Sequence, residues 1–225
     1  MKFDYYFSRV EDGNLDFRFG VKGEVMENRK KFLVKIGMRT ENFVVLRVTH
    51  GDGMEIVRGK DRGREVDADA LVTGERAVGM MLLTADCIPV IIGDESAGVL
   101  GLVHLGWQGV DKELVTKVVE KMNSLGGRDL RAVIGPGVRK ESYVFEGRIV
   151  QANDSKWQPF LEKQGGGKTA IDLVGFIKKQ LAACGVEKIE DCGIDTAKDK
   201  NYFSHYRAVR TGELEGRFAT VVMMK

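Results

Sequence analysis

The sequence contains few of the residues and segments that mark secreted, membrane-bound or disulfide-stabilised proteins. Its three cysteines, Cys87, Cys184 and Cys192, are odd in number and widely spaced, so we expect no disulfide framework and a reducing compartment. No run of about 18 apolar residues occurs, and this excludes a membrane-spanning helix. The N-terminal stretch carries charges throughout and lacks the apolar core of a signal peptide, so we expect a cytoplasmic protein with no membrane partner.

An excess of charge of one sign is also absent. The net charge is +2 although 30% of the residues are charged. A nucleic-acid-binding protein would show a stronger and clustered excess of Lys and Arg, so we expect no nucleic-acid partner. The hydrophobic content of 43% is that of an ordinary globular protein. With no internal repeat or proline-rich linker, the chain is expected to form one domain over residues 1–225.

Hydrophobic periodicity predicts three helices, each ended by glycine. They cover residues 24–36, 111–125 and 171–184, the second with Asp111 as its N-cap. In the first helix, Val25, Met26 and Phe32 are among the residues expected on the buried face.

Short apolar runs predict strands between these helices. They are expected at residues 43–49, 78–84, 88–92, 98–103, 131–134 and 218–223. The links at 85–87 and 93–96 are too short for a parallel crossover, so we expect antiparallel neighbours. The resulting fold class is mixed α+β, with largely antiparallel sheets in layers flanked by helices.

Two of the three histidines and one cysteine lie where apolar strands meet loops. His50 follows the strand at 43–49, Cys87 lies between two apolar runs, and His104 ends the run at 98–103. Two imidazoles and one thiolate are good zinc ligands, and three protein ligands leave a fourth position open for water or substrate. The alternative is a purely structural role, with Cys87 as a small core residue and the two histidines as hydrogen-bonded polar groups. The spacing of the three residues matches no local metal motif.

A set of short motifs occurs in a recognisable order. It comprises His50-Gly51, Asp69-Ala70, Thr84-Ala85-Asp86-Cys87-Ile88-Pro89 and His104-Leu105-Gly106-Trp107-Gln108-Gly109, with flanking matches in Ile134-Gly135-Pro136 and Gly216-Arg217. This order resembles that of the laccase-domain family, the multicopper polyphenol oxidoreductase-like proteins. The resemblance extends over most of the chain.

The resemblance implies a metal site, an activity and a fold. It implies that His50, Cys87 and His104 bind the metal and act in catalysis, with zinc favoured over copper because three histidines cannot furnish a multicopper cluster. The implied activity is phosphorolysis of adenosine, inosine, guanosine and methylthioadenosine, with adenosine deamination, so the partners are a nucleoside and phosphate. The implied fold is similar to the catalytic domain of cytotoxic necrotizing factor. Asp86, beside Cys87, is a further candidate catalytic residue, expected to orient a ligand or, equally, to serve as a turn residue.

The sequence departs from the family pattern at positions expected to bind an anion. Gln108 stands where the family has arginine, and the tail reads Tyr206-Arg207-Ala208 where an arginine and an aspartate are missing. Arginine is the natural bidentate ligand of phosphate. Gln108, Arg47 and Arg207 are therefore the candidate phosphate contacts. Arg139 is a further candidate cation, and for all three arginines the alternative is a solvated surface position.

Two other functions remain open on the sequence. Cys87 as nucleophile and His104 as base would make an amide or ester hydrolase, an activity that includes the peptidoglycan-precursor editing implied for some family members. A non-catalytic metal-binding or ligand-binding protein is the third possibility.

Residues 165–169 look like the end of a phosphate-binding loop, but the required upstream glycine and strand are missing, so we expect a flexible loop. For His205, the third histidine, a surface or packing role is expected.

Overall fold

A computed structural model describes residues 3–225 of the chain. The strands, in chain order, are β1 (Phe3–Phe7), β2 (Phe43–Arg47), β3 (Met54–Ile56), β4 (Glu65–Asp67), β5 (Ala70–Thr73), β6 (Gly79–Thr84), β7 (Ile88–Asp94), β8 (Val99–Leu105), β9 (Arg131–Ile134), β10 (Val144–Glu146), β11 (Leu161–Gln164), β12 (Lys168–Ile171), β13 (Lys188–Asp191) and β14 (Phe218–Met224). The helices are α1 (Lys22–Lys35), α2 (Trp107–Asp111), α3 (Leu114–Ser124), α4 (Leu173–Ala183) and α5 (His205–Thr211).

Two large sheets form the centre of the molecule. The first has the strand order β1-β14-β6-β2-β4 and the second has the order β13-β9-β7-β8-β5-β3. A third, smaller sheet has the order β10-β12-β11. Both large sheets mix antiparallel pairs with parallel ones, such as β2 with β6 and β9 with β13. The mixed α+β class is therefore confirmed.

Alternation along the strands creates the layers, because successive side chains of a strand point to opposite faces. On β8, Leu100 and Leu102 pack in the apolar cluster between the two large sheets, whereas Val103 and Leu105 pack with the helices. His104 follows Leu102 at the same spacing and so belongs to the face between the sheets. The site histidine thus lies where the two sheets meet.

Helices cover the outer face of each large sheet. Phe32 and Leu33 of α1 pack against Met81 and Val221 of the first sheet. The apolar stripe of α3 and the buried side of α4 pack on the second sheet. Among the helices of residues 3–225, none is both long and apolar enough to traverse a bilayer.

Several predicted elements agree closely with the structure. The strand predicted at 131–134 is β9, and the helix predicted at 171–184 is α4, with Asp172 as its N-cap accepting a hydrogen bond from Gly175 N at 2.7 Å. The link at 93–96 does join antiparallel neighbours, β7 and β8. Residues 165–169 form the turn of the β11–β12 hairpin and the start of β12, not a strand-to-helix phosphate loop.

Three structural predictions were wrong. Strands β6 and β7 are not neighbours, because the three-residue link at 85–87 passes from one large sheet to the other. Asp111 ends α2 and does not cap the next helix; Glu113, in a left-handed conformation with φ 56°, precedes α3. Met26 is 55% exposed, because the apolar face of α1 is narrower than the spacing suggested.

Candidate metal and substrate site

Three chain segments bring two imidazoles and one thiol together between the large sheets. His50 lies three residues beyond the end of β2, Cys87 lies in the link between β6 and β7, and His104 lies near the end of β8. Their ligand atoms all lie within 4.8 Å of one another. The two imidazole rings meet edge to face, with centroids 5.1 Å apart. The structure therefore assembles the three residues that the sequence proposed as metal ligands.

Asp69, just before β5, is the group that orients this cluster. Its side chain is fully buried, and its Oδ1 lies 3.0 Å from His104 Nδ1. The same carboxylate accepts hydrogen bonds from His50 N at 2.9 Å, Gly51 N at 2.7 Å and the Thr49 hydroxyl. One buried carboxylate thus fixes the ring of one histidine and the backbone of the other. Because it occupies His104 Nδ1, it leaves Nε2 of that ring for the cluster.

Each ionised group of the cluster stabilises the charged form of its neighbour, because the charges have opposite sign. Burial alone would raise the pKa of the Cys87 thiol, but His104 and His50 outweigh it and lower that pKa to about 6. Burial alone would lower the pKa of His104, but the Cys87 thiolate and Asp69 raise it to about 9. Hydrogen bonds from His104 and Thr49 also outweigh burial at Asp69 and hold the pKa of its carboxyl well below the usual range. The two histidines therefore favour the thiolate form of Cys87, which is the form that binds metals and attacks electrophiles.

The donor set suits a metal ion. Zinc lies about 2.0–2.3 Å from nitrogen and sulfur ligands, so the ligand atoms of a tetrahedral site lie roughly 3.3–3.8 Å apart. The three donor atoms here lie within 4.8 Å of one another, so they are gathered around one point, somewhat more widely than around a bound zinc ion. Gly106 provides the space for this approach, since a Cβ there would lie 3.1 Å from Cys87 Sγ. The cluster is thus suited to bind a metal through His50, Cys87 and His104.

A cavity of about 320 Å³ opens over the cluster. Its walls are largely apolar and aromatic, with contributions from Trp107, Tyr143, Phe145, Leu173 and Tyr206. Gln108, His205 and Arg210 add polar groups to the lining. The size and the mixture of an apolar wall with few polar groups are typical of a site for a small organic molecule.

Asp86 lines the cavity but does not hold a ligand of the cluster. Its carboxylate accepts hydrogen bonds from Thr196 Oγ1 at 2.7 Å and from Tyr206 N at 2.6 Å. Its backbone has a φ of 85°, in the left-handed region that non-glycine residues rarely adopt. Asp86 therefore shapes the turn at Cys87 and attaches α5 to it, while the orienting role expected of it belongs to Asp69.

The arginines proposed as phosphate contacts do not line the cavity. Arg47 is exposed and pairs with Asp67. Arg207 is bound by Glu213 and by backbone carbonyls, and Arg139 is buried against Ile194 O and Asp191. Arg47 therefore has the solvated surface position given as the alternative. Arg139 and Arg207 have neither role, because the hydrogen bonds of each guanidinium are made within the protein.

A different arginine reaches the cavity. Arg210 lines it, with the guanidinium carbon 3.4 Å from the centroid of the Tyr206 ring. Gln108 lines the cavity as expected. His205, for which the sequence predicts a surface or packing role, is exposed and also lines the cavity.

The family model described as multi-copper polyphenol oxidoreductase laccase matches residues 8–225. The chain belongs to this family. Purine nucleoside phosphorylases are among its relatives. The one from Mycobacterium tuberculosis is 32% identical over 203 residues, covering 89% of this chain and 80% of the relative. The one from Deinococcus radiodurans is 33% identical over 208 residues, covering 89% and 79%.

Solved structures show the same fold. The YfiH protein of Bacillus licheniformis has a TM-score of 0.88 at 21% identity, covering 99% of this chain and 93% of that one. YlmD from Geobacillus stearothermophilus has a TM-score of 0.85 at 25% identity, covering 94% and 84%. The resemblance expected from the motifs is therefore confirmed.

Two residues of this laccase-family site were missed by sequence reasoning. Asp69 belongs to a motif that carried the resemblance, and an aspartate between apolar residues was the available signal for a buried polar role. Arg210 could have been found from helical spacing, since residues four apart share a face and Tyr206 and Arg210 are so related. Arg207, one residue after Tyr206, points elsewhere.

Proposed function

We propose that this laccase-family chain is a zinc-dependent purine nucleoside phosphorylase. The proposed substrates are adenosine, inosine, guanosine and methylthioadenosine, with deamination of adenosine as a second activity. The observation that carries the proposal is the His50–Cys87–His104 cluster at the base of an aromatic cavity of nucleoside size. The phosphorylase names of relatives over most of the chain support the same conclusion.

The cavity offers each substrate part a matching surface. A purine is flat and largely apolar at its faces, so the rings of Tyr143, Phe145 and Tyr206 suit it. Phosphate requires a cation and hydrogen-bond donors, which Arg210 and the Gln108 amide provide. In this assignment Arg210 replaces Arg47 and Arg207 as the phosphate contact, and Asp86 acts by positioning Cys87 and α5.

Zinc is the proposed metal, held by His50, Cys87 and His104. When bound there, it supplies Lewis acidity to oxygen atoms of a substrate or cosubstrate. The protein itself holds the ligands in place through Asp69, and keeps bulk water away from the buried side of the cluster. Zinc is favoured over copper because the chain has only three histidines in total, too few for a multicopper centre.

The test combines elemental analysis with an activity assay. Metal content is measured on untagged protein, and release of free base from adenosine and inosine is followed with and without phosphate. Stoichiometric zinc with phosphate-dependent release is the expected result. Zinc with no base release from either nucleoside would contradict the phosphorylase assignment, and protein without metal after purification in zinc-containing buffer would contradict the metal site.

Replacing one ligand gives the first specific prediction. We expect Cys87→Ser to lose bound zinc and base release together, because a hydroxyl is a much poorer zinc ligand than a thiolate. Elemental analysis and the base-release assay are run on the same samples, with Cys184→Ser as the matched control, since Cys184 lies at the end of α4 outside the cavity. Full zinc content in Cys87→Ser would show that the ligand assignment is wrong.

The geometry also favours a second candidate, an amide or ester hydrolase. Asp69, His104 and Cys87 are arranged as carboxylate, imidazole and thiolate, the order of groups in a cysteine hydrolase. Metal occupancy separates the two functions, because a thiolate bound to zinc is a poor nucleophile. Hydrolysis that increases after chelation of the metal would favour the hydrolase, and activity that disappears with the metal would favour the phosphorylase.

A further inference from the structure

A second histidine–carboxylate pair lies at the edge of the cavity, apart from the metal cluster. His205, the first residue of α5, lines the cavity, and its side chain is 56% exposed. Its Nδ1 lies 2.7 Å from Glu215 Oε1. A carboxylate in that position accepts the hydrogen on Nδ1 and leaves Nε2 directed away from it, so in the doubly protonated ring the proton on Nε2 is the one open to transfer. Within residues 3–225, no hydrogen bond occupies His205 Nε2.

Glu215 is itself held in place by Arg217, the residue just before β14. Its Oε1 also accepts a hydrogen bond from Arg217 Nη2 at 3.1 Å. The Arg217 guanidinium lies over the Phe19 ring, 3.9 Å from its centroid, and Arg217 N donates to Asn14 Oδ1 at 2.9 Å. The carboxylate is therefore fixed by contacts that do not involve the cavity.

The position of His205 relative to the metal cluster is fixed as well. Tyr206 N donates to the Asp86 carboxylate at 2.6 Å, and Asp86 is the neighbour of Cys87 in the chain. Ser204, the N-cap of α5, accepts from Arg207 N at 3.1 Å. The histidine thus stands on a helix end attached directly to the turn that carries the thiolate.

The other proton-bearing side chains of the cavity are poorly suited to give up a proton. The Tyr206 hydroxyl already donates to Val144 O, at 3.2 Å. Burial, with the charges of Cys87 and Asp86, raises the pKa of the Tyr143 phenol. A guanidinium such as that of Arg210 is a hydrogen-bond donor and not a general acid. His50 and His104 belong to the metal cluster, which leaves His205 as the residue for proton transfer.

We propose that His205, oriented by Glu215, is the general acid that protonates the departing purine. This inference rests on the proposed phosphorylase function. A phosphate oxygen forms a bond to C1′ of the nucleoside as the C1′–N9 bond breaks, and the electron pair of that bond passes to the base. His205 acts in its doubly protonated form: the Nδ1 hydrogen stays hydrogen-bonded to Glu215, and the proton of Nε2 goes to N7 of the base, which leaves neutral. His205 is then protonated again by the proton that hydrogen phosphate loses to solvent.

N7-methylated nucleosides test this step directly. In 7-methylinosine the base already carries the positive charge that protonation would give inosine, so no general acid is needed for its departure. We expect His205→Gln to lower kcat on inosine by about 100-fold, the usual size of a general-acid contribution, and to change kcat on 7-methylinosine by less than about threefold. Zinc content should equal that of the unchanged protein.

Variants of Glu215 and Glu213 separate the orientation of His205 from the folding of the loop. Glu215→Ala should show the same dependence on substrate as His205→Gln, with a smaller loss, and Glu215→Gln should recover part of it because its amide oxygen accepts from Nδ1. Glu213→Gln is the matched control: Glu213 lies in the same loop but pairs with Arg207, at 2.7 Å, outside the cavity. Glu213→Gln should leave kcat on inosine and on 7-methylinosine unchanged.

The outcomes distinguish the inference from the function on which it rests. A protein that releases no base from either nucleoside would overturn the phosphorylase function and this step with it. Phosphorolysis that persists unchanged in His205→Gln would overturn the general acid alone. So would equal losses on inosine and 7-methylinosine, which would assign His205 to substrate binding or to the structure of α5.

Discussion

At the scale of single residues, Asp69 connects more of the site than any ligand does. It contacts the His104 ring and the backbone of His50 and Gly51 through one buried carboxylate. Both carboxylate oxygens of Asp69 accept hydrogen bonds, so each of these donors requires an acceptor at residue 69. An amide at residue 69 would place N–H groups against at least one of these donors.

Asp69→Asn is therefore expected to weaken both metal binding and the fold. We expect a loss of about 10–100-fold in zinc affinity, the usual effect of removing the partner of a ligating histidine. The free energy of unfolding should fall by about 1–3 kcal/mol, because a buried donor loses its acceptor. Competition with a chromogenic chelator and urea unfolding measure the two effects.

Asp67→Asn is the control for this change. Asp67 lies two residues away but is exposed, and its partner is Arg47 at the surface. It should alter neither zinc affinity nor stability appreciably. Unchanged zinc affinity in Asp69→Asn would mean that His104 holds its orientation without the carboxylate.

At the scale of elements, the junction between β7 and β8 is organised by another buried carboxylate. Asp94, the last residue of β7, accepts hydrogen bonds from Ser96 N at 2.9 Å and Ala97 N at 3.0 Å in the turn. It also accepts from Arg128 N and Asp129 N, each at 2.8 Å, in the segment before β9. The turn of one hairpin is thus attached to the start of the neighbouring strand.

This carboxylate makes stability depend on pH. Burial alone would raise the pKa of Asp94, but the hydrogen bonds from Arg128, Ser96 and Asp129 hold it well below the usual range. Since the folded-state pKa lies below the unfolded value of about 4, the stabilisation is complete above that pH and is lost as pH falls. Asp94→Asn should reduce the free energy of unfolding at pH 7 by about 1–3 kcal/mol.

The difference between the unchanged protein and Asp94→Asn should shrink as pH falls below about 4. Urea unfolding from pH 7 to pH 3 measures it. Asp129→Asn serves as the control, since that side chain is exposed and pairs with Lys188 at the surface. A difference that stays constant over this pH range would show that the carboxylate charge does not stabilise the turn.

The segment after β8 forms two helices, α2 and α3, where the sequence predicts one. Asp111, at the end of α2, accepts a hydrogen bond from Trp157 Nε1 at 2.8 Å. The chain then turns through the left-handed Glu113 and begins α3. Asp111 thus ends one helix and pairs with a residue in a distant part of the chain, a contact that the local apolar periodicity does not contain.

At the scale of the whole molecule, the site depends on the packing of two sheets. His50 follows a strand of the first sheet, His104 lies on a strand of the second, and Cys87 lies in the link between them. The cluster can form only when the sheets are stacked in this register. The apolar layer between them, to which Leu102 and Met80 contribute, therefore supports the site as well as the fold.

Leu102→Ala tests that layer. Leu102 is fully buried between the sheets, so its truncation should cost about 2–5 kcal/mol in the free energy of unfolding. Leu214→Ala, at a leucine that is 82% exposed, should cost almost nothing. Urea unfolding gives both values. A cost below about 1 kcal/mol for Leu102→Ala would mean that the sheets repack without loss.

Much of the fold and part of the site followed from the sequence alone. Apolar runs and helical periodicity located α4, β9 and the pair β7–β8, because burial of a strand or helix face imposes a local pattern. The local motifs around His50, Cys87 and His104 identified the family and the three residues that converge. The fold class followed from the same patterns and short links.

Only the tertiary structure decided which of these parts meet. It moved the link at 85–87 from a hairpin to a crossing between sheets, assigned Asp69 to His104, and placed Arg210 and His205 on the cavity in place of Arg47 and Arg207. Local periodicity records how much of a residue is buried, but not what it is buried against. Pairing between strands and convergence of side chains depend on packing between segments far apart in the chain, which no local pattern contains.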